Sequence, residues 1–324
     1  MFKNVMVYRI GEGFAPTLAD VQSALEPAQF VECSASQEKS VGWIPPRGEA
    51  HGPMVETVGG QWILKLMIES KAVPGNVVRR KADERMAEIE AATGRKPGKK
   101  EKRDIMDDAL MSLLPQAFAR QATVIVWMDL ENRRLVLNAG SQGKADEVMS
   151  ALMNVLAGLS VSLIQTVTSP QAAMTQWLLA PTEDEWPADL TVERETVLKS
   201  TGEDAASVRF TRHHLANDDV RKHVMAGKLP TQLALSWDGR VAFVLTETLQ
   251  LKKVQFLDGV MDESGTDKNE DRFDADVALS TGLLAPMLDS LIAALGGEMA
   301  LGKAEASPLS PHPTPETADE GPPF

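Results

Sequence analysis

One cysteine, one tyrosine and an aromatic share of 5% are what this 324-residue chain has least of. The lone Cys33 excludes an intramolecular disulfide and a cysteine-based zinc site. No apolar run reaches the length of a membrane-spanning helix, since even residues 285–295 are interrupted by Asp289. The first residues, Met1-Phe-Lys-Asn-Val-Met-Val-Tyr8, lack the charged region, apolar stretch and cleavage site of a secretory signal. These absences predict a cytosolic protein with no membrane partner.

What is present is ordinary in kind and uneven in placement. Apolar residues make up 43% and charged residues 24%, the balance of a globular chain long enough for two or three domains. The formal net charge is −13, which argues against a general nucleic-acid coat. Phosphates, however, respond to the local field over about 8–10 Å in physiological salt. Between Gln61 and Arg103 there are twelve Lys or Arg against six Asp or Glu. An acidic chain that gathers cations in one stretch presents a surface for a polyanion.

That stretch organises the rest. Gln61–Lys71 alternates as a strand, ended by Pro74 and Gly75. A helix is predicted from Asn76 to Thr93, a basic knot over 94–103, and a second helix from Asp104 to Arg120. Lys71, Arg79, Arg80, Lys81 and Arg85 are the candidate DNA contacts of this hairpin. Arg79, Arg80 and Lys81 fall at the start of the predicted helix, where the macrodipole disfavours cations unless an anion visits.

Around it, Lys3–Ile10 reads as a strand, and Thr17 as the N-cap of a helix bearing Val21 and Leu25. Residues 30–60 read as irregular. Thr123–Asp129 and Leu135–Ala139 read as strands joined by a turn, then Lys144–Leu159 as a helix and Val161–Thr166 as a strand. Gln171–Leu179 reads as a helix, residues 181–187 as a joint and Ser207–Arg212 as a strand. Asn217 caps a helix that Gly227 ends. Gln232–Trp237 and Arg240–Thr246 flank the hairpin turn Asp238-Gly239, and Leu251–Leu257 adds a strand. Trp127 and Trp237 fit core positions. The fold class expected is α+β, with mixed or antiparallel sheets, helices on one face and a projecting helical hairpin.

The expected division is a central domain of 1–70 and 122–170, the basic hairpin 71–121, and a second α+β domain 171–276. A closing helix within 277–298 returns to the first sheet. From residue 299 the chain is acidic and proline-rich with no apolar periodicity, which predicts a disordered tail.

Other signals carry less. Residues 94–100 resemble a phosphate loop, but the glycine spacing is one short and Lys100 stands where a Ser or Thr should bind magnesium. His213, His214 and His223 have no convergent carboxylates for a metal. With Arg209, Arg212, Arg221, Lys222, Lys228, Lys252 and Lys253 they make a second candidate phosphate patch, in which Arg209, Arg212 and Lys228 are the leading contacts. Asp129, Asp258, Asp262 and Glu263 are the carboxylates that could hold a metal for nucleolytic chemistry. Nothing in their spacing places them together, and the reading is of a non-enzyme with no cofactor.

Several segments together resemble the bacterial recombination-associated RdgC proteins. They are Phe2-Lys-Asn-Val-Met-Val-Tyr-Arg9, Gly42-Trp-Ile-Pro-Pro46, Ser112-Leu-Leu-Pro-Gln-Ala-Phe-Ala-Arg120, Ala226-Gly-Lys228, Leu233-Ala-Leu-Ser-Trp237, Arg272-Phe-Asp-Ala-Asp276 and Leu291-Ile-Ala-Ala-Leu-Gly-Gly-Glu298. The resemblance implies a homodimer closed into a ring around DNA, bound without sequence preference, with double-stranded DNA the expected partner and the choice between double and single strands left open. It implies a nucleoid-associated antagonist of a RecA-type recombinase. Phe118, with Leu114 and Pro115, matches a subunit contact, and Lys71 and Arg79 to Lys81 match part of the hole's lining. The family's basic pair after the 206–210 strand is only partly kept, as Thr211-Arg212-His213. The alternative is a metal-dependent nuclease acting on recombination intermediates. The tail's end, Pro322-Pro323-Phe324 after Glu316, Asp319 and Glu320, resembles that of bacterial single-stranded DNA-binding proteins. Pro323 and Phe324 are thus the expected docking residues for repair proteins.

Overall fold

The computed structural model describes residues 1–201, 206–257 and 269–299. Asp258, Asp262, Glu263, Pro323 and Phe324 lie outside the described residues.

The described residues form two sheets, in each of which neighbouring strands pair antiparallel. The first is built from β1 (Met6–Ile10), β2 (Lys39–Ile44), β3 (Val55–Val58), β4 (Gln61–Lys71), β5 (Ala119–Asp129), β6 (Arg134–Leu137) and β7 (Val161–Leu163). Its order is β2-β4-β5-β6-β1-β7, with β3 also on β4. The centre is the long β4–β5 ladder, paired from Trp62 opposite Met128 to Lys71 opposite Ala119. The second sheet runs β12-β11-β10-β8-β9. Its strands are β8 (Leu190–Ser200), β9 (Ser207–Thr211), β10 (Lys228–Trp237), β11 (Val241–Thr246) and β12 (Leu251–Phe256). Asp238 and Gly239, both at positive φ, make the turn of the β10–β11 hairpin.

The first sheet is covered on both faces, not one. Tyr8, Leu64, Leu66, Val126 and Leu135 pack with Val21 and Leu25 of α1 (Leu18–Leu25) and Val148 and Leu152 of α4 (Gln142–Val155). On the other face Val7, Ile63, Trp127 and Val136 join a core shared with the second sheet and α7 (Asn269–Ala294). The helices α5 (Pro170–Leu179) and α6 (Asp218–Met225) pack against β10. Residues 3–5 extend β1 onto the edge of β12: Val5 and Leu251 exchange backbone hydrogen bonds of 2.8 and 2.9 Å. Strand alternation explains this double duty, because the two sides of β1 serve different cores.

Segments that carry the resemblance to RdgC proteins meet in space. Arg47, just past the 42–46 segment, bonds Asp274 at 2.6 Å and lies 4.7 Å over the Phe273 ring. Arg9 of the first segment donates its Nε–H to Glu298 Oε1 of the last at 2.9 Å.

The differences from the expected elements have local causes. Residues 30–60 contain β2 and β3. The two strands are short and half exposed, and Gly42 lacks a side chain because the backbone of Phe30 passes over it. β8 is an additional strand, whose alternating burial is masked in the sequence by the charges of Glu193, Arg194 and Glu195. α7 begins well before Ser280. Within it, residues 272–294 are long and apolar enough to cross a membrane by composition, contrary to the expectation from the sequence. Leu284, Met287, Leu288 and Leu291 on that helix are core residues, and Asp289 pairs with Arg134.

Candidate nucleic-acid interface

The basic stretch folds as two packed helices between β4 and β5. α2 spans Gly75–Thr93 and α3 spans Lys99–Leu113. Val78 and Ala82 of α2 bury against Ile105 and Ala109 of α3, a small core apart from the two larger ones. Gly94, at φ 70°, ends α2. Glu101 opens α3 by accepting the Gly98 N–H at 3.3 Å, and it holds Arg95 at 2.9 Å. The Arg95 bond first, and the Gly98 bond after it, pull the Glu101 carboxyl below the usual range.

α3 thus starts five residues earlier than expected and stops at Leu113, where Pro115 breaks it and a single 3-10 turn follows. Arg120 belongs to β5, not to the helix. The second half of the basic knot is therefore helical: Lys99, Lys100, Lys102 and Arg103 occupy the first turns of α3. At 100° per residue, Lys99, Arg103 and Lys100 fall within about 100° of one another, away from the buried Ile105 and Ala109. A helix starting only at Asp104 would lack this face. The capping pattern from Gly98 to Glu101 is the sequence signal for the earlier start.

Arg79, Arg80 and Lys81 lie in the second turn of α2, since the helix begins at Gly75. The dipole argument for an anion there is weakened, because the effect fades within the first turn. Three consecutive residues also spread over about 200° of the helix, so they cannot share one face. Arg79, Arg80, Lys81, Lys99, Lys100, Lys102 and Arg103 are exposed and in no ion pair among the described residues. Arg85 pairs with Glu88 at 2.7 Å. Lys81 and Arg85 border a groove that also holds Asp108 and Glu84.

Lys71 is partly committed elsewhere. Its ammonium donates to the carbonyl of Ser34 at 2.8 Å and to that of Cys33 at 3.4 Å. Beside it, the buried Glu69 carboxylate accepts from Gln121 and from the Cys33 N–H, each at 2.7 Å. Those bonds hold Glu69 below the usual carboxylate range. Together Glu69 and Lys71 clamp the 33–34 loop to the root of the helical pair. Phe118 lies at the same root, 90% exposed; Pro115 is exposed, and Leu114 is wholly buried in its own chain.

The second patch is mostly neutralised. Arg209 pairs with Glu195, which also takes Lys253 at 3.1 Å. Arg221 bonds the carbonyls of Ala180 and Pro181 at 2.6 and 2.9 Å, and Lys222 faces Asp219 at 3.6 Å. Lys228 sits 3.1 Å from His223 Nδ1. Arg212, in the left-handed region at φ 53°, is exposed and in no ion pair among the described residues. His213 and His223 flank Phe210, at 5.3 and 5.8 Å between centroids. Asp129 is buried and closes a turn by accepting from Asn132 N and Nδ2 at 3.1 and 2.8 Å. It is a structural group. No cluster of metal-ligating residues occurs among the described residues.

Comparison with known proteins agrees with the arrangement of segments. Residues 1–298 match the family model described as "Putative exonuclease, RdgC". The Recombination-associated protein RdgC of Herminiimonas arsenicoxydans is 42% identical over 301 residues, 92% of this chain and 99% of the relative. That of Dechloromonas aromatica is 37% identical over 307 residues, covering 93% and 99%. That of Cupriavidus pinatubonensis is 40% identical over 299 residues, covering 92% and 98%. The chain belongs to the RdgC family of recombination-associated proteins.

Proposed function

We propose that this protein binds DNA without sequence preference, as a homodimer that closes around the duplex and restrains a RecA-type recombinase by occupying its substrate. The observation that carries the reading is the concentration of unpaired cations on α2 and the start of α3 in a chain of net charge −13. Counterion release from phosphates would supply the affinity, and the acidic remainder would repel DNA that is not threaded. Phe118, exposed at the root of the helical pair, would seal one subunit contact, and the helical pair would project towards the partner. Single-stranded DNA is a further ligand of such a charge track. Localisation to the nucleoid follows from the same binding.

The domain division 1–70 with 122–170, 71–121 and 171–276 is part of this proposal, each unit supplying a section of the ring. Arg212 is the second unit's leading contact. The test is retention on closed plasmid against a short linear duplex across a salt series, with solution mass measured in parallel. Stronger retention on the closed circle with a dimer mass is expected. Equal retention on both, or a monomer, would end the ring proposal.

A second reading rests on the family model's description as an exonuclease: degradation of recombination intermediates with a metal ion. Incubating labelled linear and circular DNA with magnesium separates the two, since a binder leaves both intact.

A further inference from the structure

We propose that His223 is a proton-operated catch on Lys228: the neutral imidazole holds the ammonium, and protonation of the ring releases it to a DNA phosphate. The catch presupposes the DNA binding proposed above and sets when the second unit takes part in it. α6 ends at Met225, and Gly227, at φ 85°, turns the chain back on itself. Lys228 opens β10 directly after that turn, and its Nζ stands 3.1 Å from His223 Nδ1.

The chemistry of the two groups fixes the protonation state of this contact. An ammonium has three donors and no acceptor, so Nδ1 must offer its lone pair and the ring is neutral while the contact lasts. An imidazolium carries a hydrogen on both nitrogens, and would set donor against donor and charge against charge. Phe210 of β9 packs on the shared core and lies against the His223 ring, 5.8 Å between centroids. The ring is thus backed by the fold, and the lysine, on its flexible four-carbon stem, is the partner free to leave. His213, on the other side of Phe210, is wired differently. Its Nδ1 is 2.8 Å from the carbonyl of His214, so that nitrogen carries a hydrogen and protonation of the other breaks nothing.

The charged neighbours leave the pair to itself. On α6, Asp219 faces Lys222 and Asp218 faces Arg221, each at 3.6 Å. α5, packed against α6, carries no ionisable side chain. Across β8 and β9, Glu195 takes Arg209 and Lys253, and His214 faces Glu183 at 3.9 Å. Arg194 gives His213 its carbonyl, and Arg212 is in no ion pair among the described residues. No carboxylate pairs with Lys228 among the described residues, so His223 is what occupies its ammonium. Histidine is the side chain that ordinarily changes charge between pH 5 and 8. A phosphate arriving at the pair favours the state in which both groups are charged, so DNA and the proton each favour binding of the other.

Fluorescence anisotropy of a labelled duplex with the full chain, in a salt series at pH 8 and pH 5.5, tests this with two opposed substitutions. His223→Leu removes the acceptor and frees Lys228 at any pH. It should tighten binding at pH 8 by about two- to fivefold, the scale of one exposed ion pair. Its salt slope there should steepen by about 0.9 for each phosphate newly neutralised. His223→Gln keeps an acceptor that cannot be protonated, so it should bind more weakly than the native protein at pH 5.5. Adding Lys228→Met to His223→Leu should abolish the gain. A merely structural histidine would move the Leu and Gln variants in the same direction, and that result would overturn the catch. So would a gain that survives Lys228→Met. Failure of the native protein to bind the duplex at either pH would overturn the DNA-binding reading and the catch with it.

Discussion

Arg47 and Asp274 join stretches of chain 227 residues apart: Arg47 Nη2 bonds the Asp274 carboxylate at 2.6 Å while its Nε reaches Glu56 at 3.1 Å. The same guanidinium lies over Phe273, so one side chain ties the start of α7 to the first sheet. A lysine cannot reproduce a forked, stacked contact. Arg47→Lys should cost about 1–2 kcal/mol and Arg47→Ala about 2–3 kcal/mol, below the full penalty of a buried pair because Asp274 is half exposed. Urea unfolding followed by tryptophan fluorescence measures both, and an unchanged midpoint for Arg47→Ala would refute the role.

Gly42 is held by close approach. A Cβ there would stand 2.4 Å from Phe30 Cα, a backbone atom that cannot swing aside. Gly42→Ala should destabilise by about 1–3 kcal/mol. Gly13→Ala, where a Cβ meets nothing within 4 Å, is the control and should fall within about 0.5 kcal/mol of the native protein. Thermal melts of the two variants decide it.

The Glu69 carboxyl is held down by bonds from Gln121 and the Cys33 N–H, while the Cys33 thiol is pushed up by burial and then by Glu69 itself. A carboxyl depressed in the folded state contributes fully above its unfolded pKa of about 4.3 and loses that contribution as pH falls through the folded value. The stability gap between the native protein and Glu69→Gln should therefore be present at neutral pH and shrink below about pH 4. Alkylation of Cys33 at pH 7–8 should be slow and should speed up in Glu69→Gln, since the thiolate is the reactive form. Equal labelling rates would exclude the contact.

The face formed by Lys99, Lys100 and Arg103 should matter more to DNA than Arg209 does. Reversing all three to glutamate is expected to weaken binding and to lower the salt slope by about 0.9 for each phosphate no longer neutralised. Arg209→Glu should change the slope little, because that guanidinium already pairs with Glu195. Fluorescence anisotropy over a salt series reads both. Equal weakening by the two variants would put the DNA elsewhere.

Phe118 is the test of the proposed subunit contact. Phe118→Asp should leave the fold intact, as the side chain touches little of its own chain at 90% exposure. It should weaken self-association by ~30-fold or more, the effect of removing an interface hot spot. Sedimentation of the variant across concentrations checks this, and an unchanged dimer constant would move the contact to another surface.

Local chemistry settled much of this protein in the sequence itself. The Thr17 and Asn217 caps, the Asp238-Gly239 turn, the β4 alternation and the α2 helix are dictated by neighbours a few residues apart. The ordered segments from Phe2 to Glu298 likewise marked the family. Tertiary structure alone decided which charges are free. Whether Arg209 or Arg79 can reach a phosphate depends on Glu195 standing across a strand pair, and on no acid pairing with Arg79 among the described residues. It also decided that Lys71 ties down the 33–34 loop, that α7 buries a face apolar enough for a membrane, and that β8 exists despite its charges. Side-chain pairing depends on which strands become neighbours, and that is set by the packing of two sheets on a shared core, not by any residue's place along the chain.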